Sequence, residues 1–162
     1  MKENIKIRNV CDGDSELLQK LASECPPLDV HTPYTYWVIA RFFGKNSFIA
    51  EIDGKPLGYI TSVENGEETL VWQIGIKKEV RGSGLAYLLI DKVIAPAIAA
   101  GRKVYVSIDR SNAPSNGAFS SYCRKNGLIL KNLKTVALRS VTDADFYECE
   151  DLFLIEPDEK GC

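Results

Sequence analysis

Apolar and polar positions along this chain change period several times, and each change marks an element. Ile5, Ile7 and Val10 suggest a first strand, and Leu17, Leu18 and Leu21 recur at helical spacing behind Asp14 or Ser15, either of which can cap that helix. Cys25-Pro26-Pro27 ends it. After a turn at Thr32-Pro33, the stretch Tyr34 to Phe43 is bulky and apolar on several sides and predicts a short helix beneath a sheet. Ser47 to Ile52 and Leu57 to Val63 read as two strands joined through Asp53-Gly54, a hairpin signal. Asn65-Gly66 turns the chain into a strand over Thr69 to Ile76, and Leu85, Leu88, Leu89, Val93 and Pro96 mark a helix ending near Gly101. Lys103 to Ile108 alternates as a strand. Pro114 opens a further helix that Asn126-Gly127 stops, and Leu130 to Leu138 and Cys149 to Ile155 read as late strands. The order is α/β, and no linker or repeat divides residues 1–162, so a single domain is expected.

Composition narrows the function classes. At 162 residues and 45% hydrophobic, the chain can build one core of ordinary size. Twenty basic against 22 acidic residues leave a net charge of -2, with no basic excess to track a phosphate backbone, which argues against nucleic acid. No apolar run reaches a membrane span, and MKENIKIRNV lacks the apolar core of a secretory signal. A cytoplasmic protein without a membrane partner is expected. Cys11, Cys25, Cys123, Cys149 and Cys162 are odd in number and form no C-x-x-C pair, which predicts reduced thiols and no metal site.

Candidate chemistry concentrates in Leu70 to Ala86, where an apolar strand enters a basic Gly-rich turn that opens a helix. Gly82 and Gly84 permit a sharp turn, and the free amides and positive dipole end of the helix suit a diphosphate. Gly82-Ser83-Gly84 is followed by Leu85, Ala86 and Tyr87 and so departs from the dinucleotide fingerprint, and no Gly-Lys-Ser/Thr ends a nucleotide loop. Arg81-Gly82-Ser83-Gly84-Leu85-Ala86 resembles the R-x-x-G-x-G/A signature of the GNAT superfamily of N-acetyltransferases. The resemblance implies a mixed central sheet with a splayed strand pair, flanked by helices, and acetyl-CoA as cosubstrate. It implies cofactor contacts from the amides of Ile74 and Ile76, from Arg81, Gly82, Ser83, Gly84, Leu85 and Ala86, and from Asn112, whose other reading is a helix cap. Gly75 fits close approach of a ligand, or equally a bulge or a tight contact. Where the family commonly has a proton-donating tyrosine this chain has Phe119. Either the thiolate leaves without a side-chain proton or Tyr122 supplies one, core burial being the alternative for Tyr122.

Separated runs extend the resemblance. Pro26-Pro27-Leu28-Asp29-Val30, Thr32-Pro33-Tyr34-Thr35-Tyr36, Leu70-Val71-Trp72-Gln73, Asn112 with Ser115 and Phe119, and Glu148-Cys149-Glu150-Asp151-Leu152-Phe153 resemble those of the L-2,4-diaminobutyrate acetyltransferases of ectoine synthesis. Acetylation of the 4-amino group of that diamino acid is implied, with a homodimer as the expected assembly. Asp29 and one of Glu148 or Glu150 are candidates to read the α-ammonium, and Trp72 to wall the aliphatic stem. The bland alternatives are a turn cap, a solvated strand face and a core position. An alkyl ammonium with a pKa near ~10.4 needs a base, for which Glu148 and Glu150 are candidates and Asp29 competes. His31 suits base work by its pKa, or bonds within the turn. The Ile74 amide is the candidate oxyanion donor. Ser107-Ile108-Asp109-Arg110-Ser111-Asn112 departs from the subfamily run, so Asp109 and Arg110 either pair at the surface or adapt the pocket. Two other readings stay open: an acetyltransferase for another small amine such as ornithine, lysine, a polyamine or a peptide N-terminus, and a non-catalytic acyl-CoA sensor.

Overall fold

In the computed structural model, which describes residues 4–161, the period changes become eleven regular elements around one sheet. The strands are β1 (Ile5–Asn9), β2 (Phe48–Ile52), β3 (Lys55–Glu64), β4 (Glu68–Ile76), β5 (Lys103–Asp109), β6 (Leu128–Arg139) and β7 (Tyr147–Pro157). They lie in the order β1-β2-β3-β4-β5-β7-β6. Helices α1 (Ser15–Ser23) and α2 (Pro33–Phe42) contribute to one apolar cluster, and α3 (Leu85–Ala99) and α4 (Ala113–Lys125) to the other. Strand alternation sorts the two: Ile49 and Tyr59 pack with Leu18, Leu21 and Ile39, whereas Ala50 and Ile60 pack with Leu89, Ile90 and Phe119. No helix among the described residues is long and apolar enough to cross a membrane.

Every neighbouring pair is antiparallel except β4 and β5. That parallel pair is short: Glu68 to Val71 align with Lys103 to Val106, after which β4 runs on to Ile76 with no partner in β5. The expected splayed pair is therefore present. A bulge marks where it opens, because Thr61 faces Gln73 and Ser62 faces Val71, leaving Trp72 as the extra residue of β4.

Several local expectations change in three dimensions. Asp14 occupies the position before α1 but makes no side-chain cap to it; its carboxylate accepts from Arg8 Nη1 at 2.7 Å and from the Cys11 N–H at 2.7 Å. A charge-assisted bond to β1 takes the oxygens a cap would use. Helix α2 buries Tyr36, Ile39 and Ala40 and leaves Tyr34, Trp37 and Phe42 exposed, so only one of its faces is covered. The two late strands start earlier and run longer than their apolar runs, because β6 and β7 pair from Leu128 with Pro157 to Arg139 with Tyr147. Cys11, Cys25, Cys123 and Cys149 are free thiols, and Cys162 lies outside the described residues.

Candidate active site

Strand β4 ends in a short turn over Lys78–Val80, and the chain then enters α3 through Gly82 (φ 81°) and Gly84 (φ 86°), both left-handed. Only glycine holds that conformation without cost, so the sharp entry into α3 becomes possible here. No side chain caps α3, which leaves its first amides directed at whatever lies before them. A cavity of about 350 Å³ opens at that point, between the turn, the free end of β4 and the face of α4. Lys77 N–H bonds Leu57 O of β3 at 2.9 Å; by strand alternation the amides of Ile76 and Ile74 then face the opposite way, into the splay. Uncapped amides, two left-handed glycines and a row of free strand amides fit an extended ligand with a diphosphate.

A second cavity, of about 430 Å³, abuts the first and shares Pro27, Leu28, Ile74, Asn112 and Ser115 with it. Four carboxylates line it: Asp29 from the segment after α1, Asp109 from the end of β5, and Glu148 and Glu150 from β7. No lysine or arginine among the described residues does. Register explains part of this grouping, since Asp109 and Glu150 are paired across β5 and β7. Partial burial, then the charges of Asp109, Glu148 and Asp29, push the Glu150 carboxyl above its ordinary pKa, with the Ser107 hydroxyl opposing. Trp72 forms a wall and stands beside His31, with ring centroids 5.6 Å apart.

A model of the Acetyltransferase (GNAT) family matches residues 15–123, which carry β4, the Gly-rich turn, α3 and most of α4. The chain belongs to the GNAT acetyltransferase family. Like other GNAT acetyltransferases it uses acetyl-CoA as its cosubstrate. It is similar to the L-2,4-diaminobutyric acid acetyltransferases of Vibrio parahaemolyticus (27% identity over 73% of this chain) and Streptomyces avermitilis (28% over 81%). The matched regions span 66% and 76% of those two proteins. A solved structure of diaminobutyrate acetyltransferase EctA from Paenibacillus lautus, in complex with its substrate L-2,4-diaminobutyric acid and coenzyme A, has a TM-score of 0.82 at 23% identity over 96% of both chains.

Within this GNAT acetyltransferase, Ile74, Ile76, Arg81, Gly82, Gly84, Leu85, Ala86 and Asn112 all border the first cavity. Ser83 does not: its hydroxyl turns back to donate to Val80 O at 2.6 Å. The Arg81 guanidinium is also turned away from the helix end and donates to the carbonyls of Ile76 and Pro26 at 3.1 and 2.7 Å. Asn112 caps α4, accepting from Ser115 N–H at 3.1 Å, so the cap reading holds for the carbonyl end of its carboxamide. Tyr122 borders the cavity, but its hydroxyl donates to Asp91 at 2.8 Å, and its pKa is raised by burial and by that carboxylate. Its proton is engaged on α3 and is held more tightly than in a free phenol. Phe119 is buried in the core.

Other positions resolve the open alternatives. Gly75 is a tight contact: an added Cβ would stand 2.5 Å from Tyr59 Cε1 and 3.0 Å from Leu28 Cδ1. Arg110 swings outward onto Asp151 at 2.8 Å and Thr135 at 2.7 Å, while Asp109 stays in the cavity wall and accepts from Ser111 N–H at 2.7 Å. His31 bonds through its main chain, its N–H to the Tyr36 hydroxyl at 3.3 Å and its carbonyl to Gln19 Nε2 at 3.2 Å. Sequence reasoning missed Gln73, a buried amide on β4 whose Nε2 donates to Asp29 O at 2.8 Å. A glutamine amid β4 apolar residues, with two buried tyrosines nearby, is the signal that could have found it.

Proposed function

We propose that this GNAT acetyltransferase moves the acetyl group of acetyl-CoA to the 4-amino group of L-2,4-diaminobutyrate, giving the N4-acetyl product used in ectoine synthesis. The observation that carries the reading is the cavity with four carboxylates in its lining, meeting the acyl-donor cavity at Ile74. Relatives bearing that activity in their names support it. Acetyl-CoA supplies the acetyl group already activated as a thioester. The amides of Gly82, Gly84, Leu85 and Ala86 hold the diphosphate, those of Ile74 and Ile76 hold the pantetheine arm, and the free end of the Asn112 carboxamide joins them. Asp29 and Glu148 read the α-ammonium, Trp72 confines the aliphatic stem, and the distal amine is left as the one group facing the thioester.

Glu150 is the general base in this reading. A carboxyl whose pKa is raised by burial and like charges accepts a proton more readily than an ordinary carboxylate. It takes the ammonium proton directly or through one water. The Ile74 N–H donates to the oxygen on which charge develops. The thiolate departs without a side-chain proton, which its modest basicity allows. The single sheet supports one N-acetyltransferase domain over the whole chain, and a cytoplasmic homodimer acting on a small diamino acid completes the proposal.

Free-thiol release from acetyl-CoA with L-2,4-diaminobutyrate, ornithine, lysine, spermidine and an N-terminal peptide, followed by mass localisation of the acetyl group, tests the reading. Preference for diaminobutyrate with acetylation at the 4-amino group is the expected result. Preference for another amine retires that substrate, and silence across the panel with intact coenzyme A binding favours a non-catalytic sensor.

A further inference from the structure

Residues 25–31, between α1 and α2, lie outside any regular element and border both cavities. Cys25 and Pro26 face the acyl-donor side, Asp29 and His31 the amine side, and Pro27 and Leu28 touch both. Such a strap has no hydrogen-bond ladder to fix it, yet it carries the one cavity carboxylate that is not on a strand. Its main chain is instead bound by side chains of other elements. Arg81 Nη2 donates to Pro26 O at 2.7 Å while its Nε donates to Ile76 O at 3.1 Å, so one planar guanidinium joins the strap to the end of β4. Gln73 Nε2 donates to Asp29 O at 2.8 Å.

Gln73 is itself locked. Its Oε1 accepts from the Tyr59 hydroxyl at 2.6 Å and the Tyr36 hydroxyl at 3.2 Å, and all three residues are buried. With both oxygen lone pairs and one N–H committed, the amide has a single orientation. Gly75 completes the seat, since the absence of a side chain lets Leu28 and Cys25 lie against β4.

We infer that Gln73 and Arg81 are positioning residues whose side-chain donors fasten the 25–31 strap to β4, and so set where the Asp29 carboxylate stands in the amine cavity. This rests on the reading of Asp29 as the group that meets the substrate ammonium. It departs from the role that resemblance implies for Arg81, which is contact with the diphosphate.

The test compares Arg81→Ala, Arg81→Lys, Gln73→Met and Asp29→Asn, alone and combined, by amine KM and kcat, coenzyme A calorimetry, and hydrogen exchange of the strap. Arg81→Ala and Gln73→Met should each raise the diaminobutyrate KM about tenfold, which corresponds to ~1.4 kcal/mol, and kcat should fall less. Coenzyme A affinity should change by less than about threefold, well under that tenfold step. Arg81→Lys should recover part of the loss, and neither change should add much in the Asp29→Asn background, where the carboxylate being positioned is already gone. Gln73→Met leaves two tyrosine hydroxyls without their acceptor and can cost folding, but Arg81 is exposed and its variant keeps the test alive. Loss of coenzyme A affinity with an unchanged amine KM, or full multiplication with Asp29→Asn, would overturn the inference in favour of a diphosphate contact. Absence of wild-type turnover on diaminobutyrate refutes the substrate reading instead; strap exchange then decides, faster in Arg81→Ala if the tie is real and unchanged if it is not.

Discussion

The two cavities meet at Ile74 and are built on opposite principles. The acyl-donor side is lined by Arg81, Gly82, Gly84, Leu85 and Ala86 of the Gly-rich turn and by the free end of β4, and in the proposed reading main-chain amides there do the recognising. The amine side is lined by carboxylates brought from three separated places, the strap, the end of β5 and β7, and in the proposed reading these do the recognising. A diphosphate and a pantetheine arm are common to every reaction of this family, and backbone amides bind them with little dependence on side-chain identity. An amine must be chosen from among many, which calls for charged side chains whose number and spacing can vary. Asp109 and the outward turn of Arg110 illustrate that freedom: where the chain departs from the subfamily run, Asp109 lines the amine cavity and Arg110 pairs with Asp151.

Four substitutions break this division or sharpen it. Glu150→Gln should lower kcat/KM about 10²- to 10³-fold with coenzyme A affinity unchanged in calorimetry, because the proton acceptor is lost and no amide is touched. The same variant should lose the acidic limb of the pH–rate profile. In the wild type, activity should rise as Glu150 ionises, and because burial and like charges raise its pKa that limb should lie above that of an ordinary carboxylate. Asp29→Asn should raise the diaminobutyrate KM by roughly 10- to 100-fold, the scale of a lost hydrogen bond to a charged group, and leave the acetyl-CoA KM alone. Gly84→Ala should do the reverse. Forcing a Cβ into a φ of 86° costs ~1–2 kcal/mol and tilts the α3 amides, so coenzyme A should bind about tenfold more weakly while the amine KM holds. Asp109→Asn should have the smallest effect: it removes one of the charges that raise Glu150, and the acidic limb should move to lower pH with little loss of maximal rate. An amine-side defect in Gly84→Ala, or a coenzyme A defect in Asp29→Asn, would show that the two cavities are not separable.

Much of the fold was legible because its strands and helices carry the period of their burial. The hairpin at Asp53-Gly54, the turn at Asn65-Gly66 and the Gly82–Gly84 entry into α3 are local devices, and each was read from two or three adjacent residues. Asp14 was misread as a cap because its partner, Arg8, lies on a different element. Nor does the motif around Arg81 show that its guanidinium donates to the Pro26 carbonyl, 55 positions away. Tyr122 shares a helical face with Phe119, as its spacing says, but periodicity cannot show that Asp91 on α3 accepts its proton. Gly75 fits a ligand contact or a packing contact by its place in the sequence, and only Tyr59 and Leu28, from distant segments, decide for packing.

Sequence by itself determined what depends on contiguous main chain: the order of elements, the paired left-handed glycines, the uncapped helix start, and so the class of cosubstrate. Tertiary structure decided what depends on where side chains end up. It opened β4 from β5 after Val71, placed the bulge at Trp72, paired Asp109 with Glu150 across two strands, and tied the strap through Gln73 and Arg81. A backbone amide needs only its own dihedrals to point at a ligand, whereas a carboxylate acquires its pKa and its neighbours from segments that the chain order keeps far apart.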